Sequence, residues 1–224
     1  MKIDNIRHSL SHLLAAAVLK KFPDAKFGVG PAIENGFYYD FLLPKTLTSE
    51  DLIYFEKEIK KLISQKLPFE KEEITAARAK NLFKNQPFKL ELIKEYIKEK
   101  QPLLIYKTGE AFTDLCAGDH VKNSAEINAD AFKLTKIAGA YWRGDEKNPQ
   151  LQRIYGVAFE TKKELAEYLK MLEMAKRCDH RTLGERLEYF MIDEEIGKGL
   201  PLLLPKGYYV RRQLENYKIG RAHV

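Results

Sequence analysis

The chain has 224 residues, 45% of them hydrophobic and 31% charged, with a net charge of +6 and a pI of about 9.0. That balance excludes a disordered or low-complexity chain, two cysteines exclude a disulfide framework, and no apolar run reaches membrane-spanning length. The basic excess suits a polyanionic partner, and equally suits lysine-rich helix faces in water.

Residues 5–22 are expected to form a helix, with Asp4 or Asn5 as N-cap and Pro23 beyond its end. Ile6, Leu10, Leu13, Leu14 and Ala17 make one apolar stripe, and His8 and His12 fall on nearly the opposite face with Ala15 and Leu19. This predicts a helix covered on one side and lining a cleft on the other. "KFGVGPAIENGFYYDF" at 26–41 predicts a hairpin turning at Asn35-Gly36, where both positions favour positive φ. A capping-box-like Thr48…Asp51 opens a helix to about Lys66, and shorter helices are predicted near 72–84 and 87–100. A second hairpin spans 103–116, turning at Thr108-Gly109. "AFKLTKIAGAYW" and "LQRIYGVAF" follow as strands, then an amphipathic helix at 161–177 capped by Thr161. The fold class is α+β, a largely antiparallel sheet packed with helices. Beyond residue 178 the chain has too few apolar residues for a core of its own, and "GLPLLLP" at 199–205 is broken by Pro201 and Pro205.

The chemistry concentrates in two places. His8 and His12 lie one helical turn apart on one face, and "DLCAGDHV" at 114–121 repeats the spacing with Cys116 and His120. Four such side chains are what tetrahedral zinc requires. A metal-free cluster is the alternative: His, Cys and Asp position a substrate and a neutral imidazole acts as base near pH 7. "GVG" at 28–30 lacks a third glycine and precedes Pro31 and a hairpin, so it is no dinucleotide loop. The sequence contains no Walker A motif and no G-x-S-x-G elbow.

"RHSLSHLLAAAV", "GPAIENGFYYDF", "TDLCAGDHV", "KLTKIAGAYWRGDEKNPQLQRIYGVAF" and "DHRTLGERLEYF" together resemble the threonyl-tRNA synthetase family, in its order, from residue 6 to about residue 217. The resemblance implies an editing domain over 1–160, with the long N-terminal helix lining the editing cleft. It further implies a linker helix at 161–178 and the start of a class II catalytic domain at 179–218. The family attaches threonine to tRNA(Thr) with ATP. A synthesis site separates threonine from serine by one methyl, worth only about 1–3 kcal/mol, so a second site hydrolyses seryl-tRNA(Thr).

By this resemblance His8, Lys89 (in "FKLE") and Asp114 are catalytic, and His12, Tyr39, Cys116 and His120 form the substrate pocket. Lys136, Arg143 and Arg153 are candidate tRNA contacts through phosphates and 2′-hydroxyls, and Trp142 is either core or a stacking surface for a terminal base. Alanyl relatives hold zinc with the equivalents of His8, His12, Cys116 and His120, whereas bacterial threonyl editing sites are described as metal-free. No metal or cofactor is therefore expected here; ATP, magnesium and the core zinc belong to the missing catalytic domain. Other readings are a zinc-dependent alanyl-type deacylase or a non-catalytic tRNA-binding piece. The family motif "CRGPH" reads "CAGDH" here, so Ala117 removes a cation and Asp119 adds a carboxylate beside His120. A cytoplasmic protein with no membrane contact is expected. The family forms homodimers through parts this chain mostly lacks, which leaves a monomer compatible with it. "IGRAHV" at 219–224 matches no family pattern and is expected to be translated sequencing-adapter DNA.

Overall fold

The computed structural model describes residues 3–197 and 199–222; Met1, Lys2, Lys198 and the last two residues of the 219–224 tail lie outside it. Two compact units divide at Leu165/Ala166.

In the first unit, helix α1 (Ile3–Lys21) is the central element. It starts two residues before the expected position, so Asp4 sits in the first turn instead of capping it. As expected, His8 and His12 line a cavity from one face of α1, and the rest of the helix is buried more widely than its apolar stripe implied. Ile6, Leu10 and Leu13 on one side, and Ser9, His12 and Ala16 on the other, are all buried. Burial on most sides places α1 in the interior although Arg7, Ser9, Ser11 and His12 are polar, and its small residues let strands approach closely.

A five-stranded antiparallel sheet packs against α1: β1 (Lys26–Phe27), β2 (Ala32–Ile33), β3 (Gly36–Leu42), β7 (Phe132–Tyr141) and β8 (Gln150–Ala158), in the order β1-β3-β8-β7 with β2 also on β3. Ile33 pairs with Gly36, so the hairpin turns at Glu34-Asn35, and neither Asn35 nor Gly36 has positive φ. The glycine is required for another reason: a Cβ at Gly36 would lie 1.9 Å from the Gly156 carbonyl oxygen on β8. Phe37, Tyr39 and Phe41 point from β3 into the core beneath α1. Helix α2 (Ser49–Ser64) covers the same layer, its start fixed by Thr48 N–H donating to Asp51 Oδ2 at 2.8 Å.

The second sheet is β4 (Phe69–Glu73), β5 (Leu104–Thr108) and β6 (Phe112–Leu115), in sequence order. The stretch predicted as helix from 72 thus begins as a strand. "FEKEE" buries only Phe69, and its charged side chains suit an edge strand whose backbone pairs with β5. Helices α3 (Ala76–Leu82) and α4 (Pro87–Lys98) follow. The β5–β6 loop uses positive φ at Gly109, as the sequence suggests.

Helix α5 (Lys162–Arg177) begins in the first unit and continues in the second, which adds α6 (His180–Arg186), a two-stranded ladder of β9 (Phe190–Ile192) and β10 (Pro201–Leu203), and α7 (Pro205–Ala222). The Thr161 hydroxyl accepts from Glu164 N–H at the start of α5. Leu200, Tyr208, Tyr209, Leu214 and Tyr217 are all more than half exposed, as expected of a segment without a core. No described helix is long and apolar enough to cross a membrane.

Candidate functional site

One open cavity of about 360 Å³ brings the two histidine-bearing motifs together. His8 and His12 enter from α1, Asp114, Cys116 and Ala117 from the end of β6, Lys89 from α4, and Gly30–Ala32 form the rim. Its size suits an amino acid and part of a sugar.

Four donors converge at its base. The ligand atoms of His8, His12, Cys116 and His120 all lie within 4.8 Å of one another. Cys116 Sγ is 3.3 Å from His8 Nε2 and 3.6 Å from His120 Nε2. Bond lengths of about 2.0–2.1 Å to nitrogen and 2.3 Å to sulfur give tetrahedral zinc a nitrogen–sulfur edge of about 3.6 Å. The donor set therefore fits zinc. His12 Nδ1 is buried with no hydrogen-bond partner among the described residues. Asp119 is exposed and not among the four, so its carboxylate does not extend the cluster.

Beside the histidines lies a buried polar core. Lys89 Nζ is 2.5 Å from Asp114 Oδ1, with side chains 2% and 4% exposed. The Tyr39 hydroxyl donates to Asp114 Oδ2 at 2.5 Å and accepts from Lys89 at 3.1 Å. His12 Nε2 lies 3.8 Å from Asp114 Oδ2. The Tyr39 hydroxyl serves Oδ2, while buried Oδ1 makes no hydrogen bond among the described residues and is met by the Lys89 ammonium as an ion pair. Tyr39 does not line the cavity, contrary to the expectation of a pocket wall. It is fully buried and acts as a strut behind Asp114 and Lys89, and burial next to Asp114 holds its phenol well above the usual range. His120 is also set back, stacked between His8 and Phe69 with ring centroids 4.2 and 5.3 Å away.

Burial sets the protonation states. It drives the imidazoles of His12 and His120 well below their ordinary value, helped by neighbouring histidines. His8 is lowered as well, mainly by burial, against a main-chain bond from Asp119. All three rings are neutral near pH 7, the form that accepts a proton or binds a metal. Burial, reinforced by Asp114, pushes the Cys116 thiol up to about 12, so without a metal it stays protonated.

The candidate RNA contacts are not brought into this cavity. Arg153 forms a two-pronged pair with Asp40, at 2.6 and 2.8 Å, and stacks 3.8 Å over Tyr38. Arg143 pairs with Glu91 and Glu95. Lys136 is exposed and lies over Tyr155. Trp142 is core: it packs on Phe88 and donates to Glu91 at 3.0 Å.

Sequence reasoning missed Ser9, Gly30 and Gly118. The Ser9 hydroxyl bridges His120 Nδ1 at 3.1 Å and Val121 N–H at 3.0 Å; its signal was the serine inside "HSLSH". Gly30 belongs to the rejected "GVG". Its carbonyl accepts from Ser11 at 2.6 Å, and a Cβ there would fall 2.1 Å from Tyr39 Cδ2.

A neutral histidine cluster beside a buried lysine–aspartate pair, on an α+β domain, defines a class. Residues 103–155 match the sequence profile described as "Threonyl and Alanyl tRNA synthetase second additional domain". Over 96% of its length the chain is also similar to threonine--tRNA ligases. It is 52% identical over 215 residues to that of Dehalococcoides mccartyi, covering 36% of the relative, and 51% identical over 218 residues to that of Gloeobacter violaceus, covering 34%. The enzyme of Streptococcus thermophilus is 48% identical over 217 residues, with 33% covered. The resemblance to the threonyl-tRNA synthetase family thus extends over nearly the whole chain, which spans about a third of the length of these relatives.

Proposed function

We propose that the cavity is an editing site that hydrolyses seryl-tRNA(Thr). The observation that carries this reading is the convergence of His8, His12, Lys89 and Asp114 on one cavity, in a chain related to threonine--tRNA ligases. The acceptor end of the RNA brings the aminoacyl ester to the rim at Gly30–Ala32. Neutral His8 takes a proton from a water that attacks the ester carbonyl carbon. The bond from that carbon to the ribose oxygen breaks, and the proton passes to the leaving hydroxyl, releasing serine and intact tRNA. Lys89 supplies positive charge beside the developing oxyanion, and Asp114 receives the substrate's amino group. Tyr39 and His120 support these groups from behind. Lys136 has an exposed side chain, and Arg143 and Arg153 engage RNA only by sharing their carboxylate partners.

In this reading residues 1–160 are the editing domain, 161–178 the linker helix and 179–218 the beginning of a catalytic domain. Attachment of threonine to tRNA belongs to the longer protein. Deacylation of seryl-tRNA(Thr), abolished by His8→Ala and by Lys89→Ala, tests the assignment; equal rates in all three chains would remove it.

The four-donor cluster favours a second reading, zinc-dependent deacylation. Zinc there would be held by His8, His12, Cys116 and His120, and when bound it acidifies water. Four protein donors fill a tetrahedral shell and leave no position for that water, so the metal-free route is preferred. Activity that survives exhaustive chelation supports that choice; activity lost on chelation and restored by zinc supports the second reading.

A further inference from the structure

We infer that Gly118 is the positioning device for His8, fixing which edge of the ring faces the cavity. The inference rests on the reading of His8 as the base of the editing site. A Cβ at Gly118 would lie 2.5 Å from His8 Cε1 and 2.7 Å from Nδ1, but 3.7 Å from Nε2. The loop backbone therefore lies against the Nδ1 edge of the ring. At the other corner, Nε2 sits on the cavity side, 3.3 Å from Cys116 Sγ. The glycine loop thus occupies the Nδ1 edge and leaves the Nε2 edge turned toward Cys116. One ring face is covered by His120, itself held by Ser9 at 3.1 Å.

This arrangement explains how "CAGDH" keeps the geometry expected of the family's "CRGPH". The two positions that differ, Ala117 and Asp119, are exposed. The constrained position is the glycine between them, where any side chain would occupy the space of the His8 ring.

The test uses the full chain, treated with chelator. Gly118→Ala is expected to displace the ring, lower kcat for seryl-ester hydrolysis about a hundredfold with KM little changed, and lower Tm. In a His8→Ala background the added methyl has room, so Gly118→Ala is expected to cost no further Tm. The same Tm loss with and without His8 overturns the inference. If the wild-type chain hydrolyses no ester, the editing assignment fails, while the Tm cycle still decides the role of Gly118.

Discussion

Removing Lys89 while Asp114 stays is the most informative stability experiment the site offers. Lys89→Met keeps most of the stem volume but strands the Asp114 carboxylate, whose side chain is 4% exposed, with the Tyr39 hydroxyl as its remaining close donor. Breaking a buried pair in this way costs about 3–5 kcal/mol, a large part of the stability of a single domain. Adding Asp114→Asn removes the stranded charge and keeps an oxygen to accept from Tyr39. The double variant should then recover most of the loss, leaving about 1–2 kcal/mol for the imperfect hydrogen bonding. Urea unfolding followed by Trp142 fluorescence is suitable, because the chain's single tryptophan is buried in the first unit and reports on it alone. With m of about 1–3 kcal/mol/M, the midpoint of Lys89→Met should fall by about 1 M or more. A loss below about 1 kcal/mol, or a double variant no more stable than Lys89→Met, would refute the coupled ion pair.

Other consequences follow from the same geometry. Burial holds the folded-state pKa values of His12 and His120 below the unfolded value of about 6.5. The unfolded chain therefore binds more protons below that pH, and stability present above it is lost as pH falls, by up to about 1.4 kcal/mol per pH unit for each histidine. Melts of chelated protein from neutral pH down to pH 5 should show this, and His12→Gln should weaken it; a flat profile would contradict the burial argument. Iodoacetamide at neutral pH should modify exposed Cys178 and spare Cys116, whose thiol is pushed up to about 12; equal labelling by mass spectrometry would argue otherwise. Gly30→Ala should press on Tyr39 and cost about 1–3 kcal/mol, read as a lower Tm, with an unchanged Tm counting against the tight contact.

The sequence carried the site further than it carried the local backbone. The His8/His12 and Cys116/His120 spacings were legible because helical periodicity and motif spacing are local. Lys89 was not: a lysine on an amphipathic helix looks solvated, and only the family resemblance marked it before the fold showed it buried against Asp114. Tyr39 was named but misplaced, since which face of β3 turns inward depends on register. Asn35-Gly36 pointed to a turn because the pair often adopts positive φ, yet the glycine is there to let β8 approach. "FEKEE" lacked the apolar alternation of a strand because an edge strand in water needs little of it. Gly118 and Ser9 were invisible because their work is done on neighbours distant in sequence.

The central claim is a site that removes serine and spares threonine. The direct measurement is the first-order rate of ester hydrolysis by this chain for seryl-tRNA(Thr) and for threonyl-tRNA(Thr), side by side with His8→Ala. The account predicts rapid loss of the seryl ester, a threonyl ester lost no faster than without protein, and a seryl rate that collapses in the variant. Hydrolysis of both esters at one rate, or of neither, would contradict it.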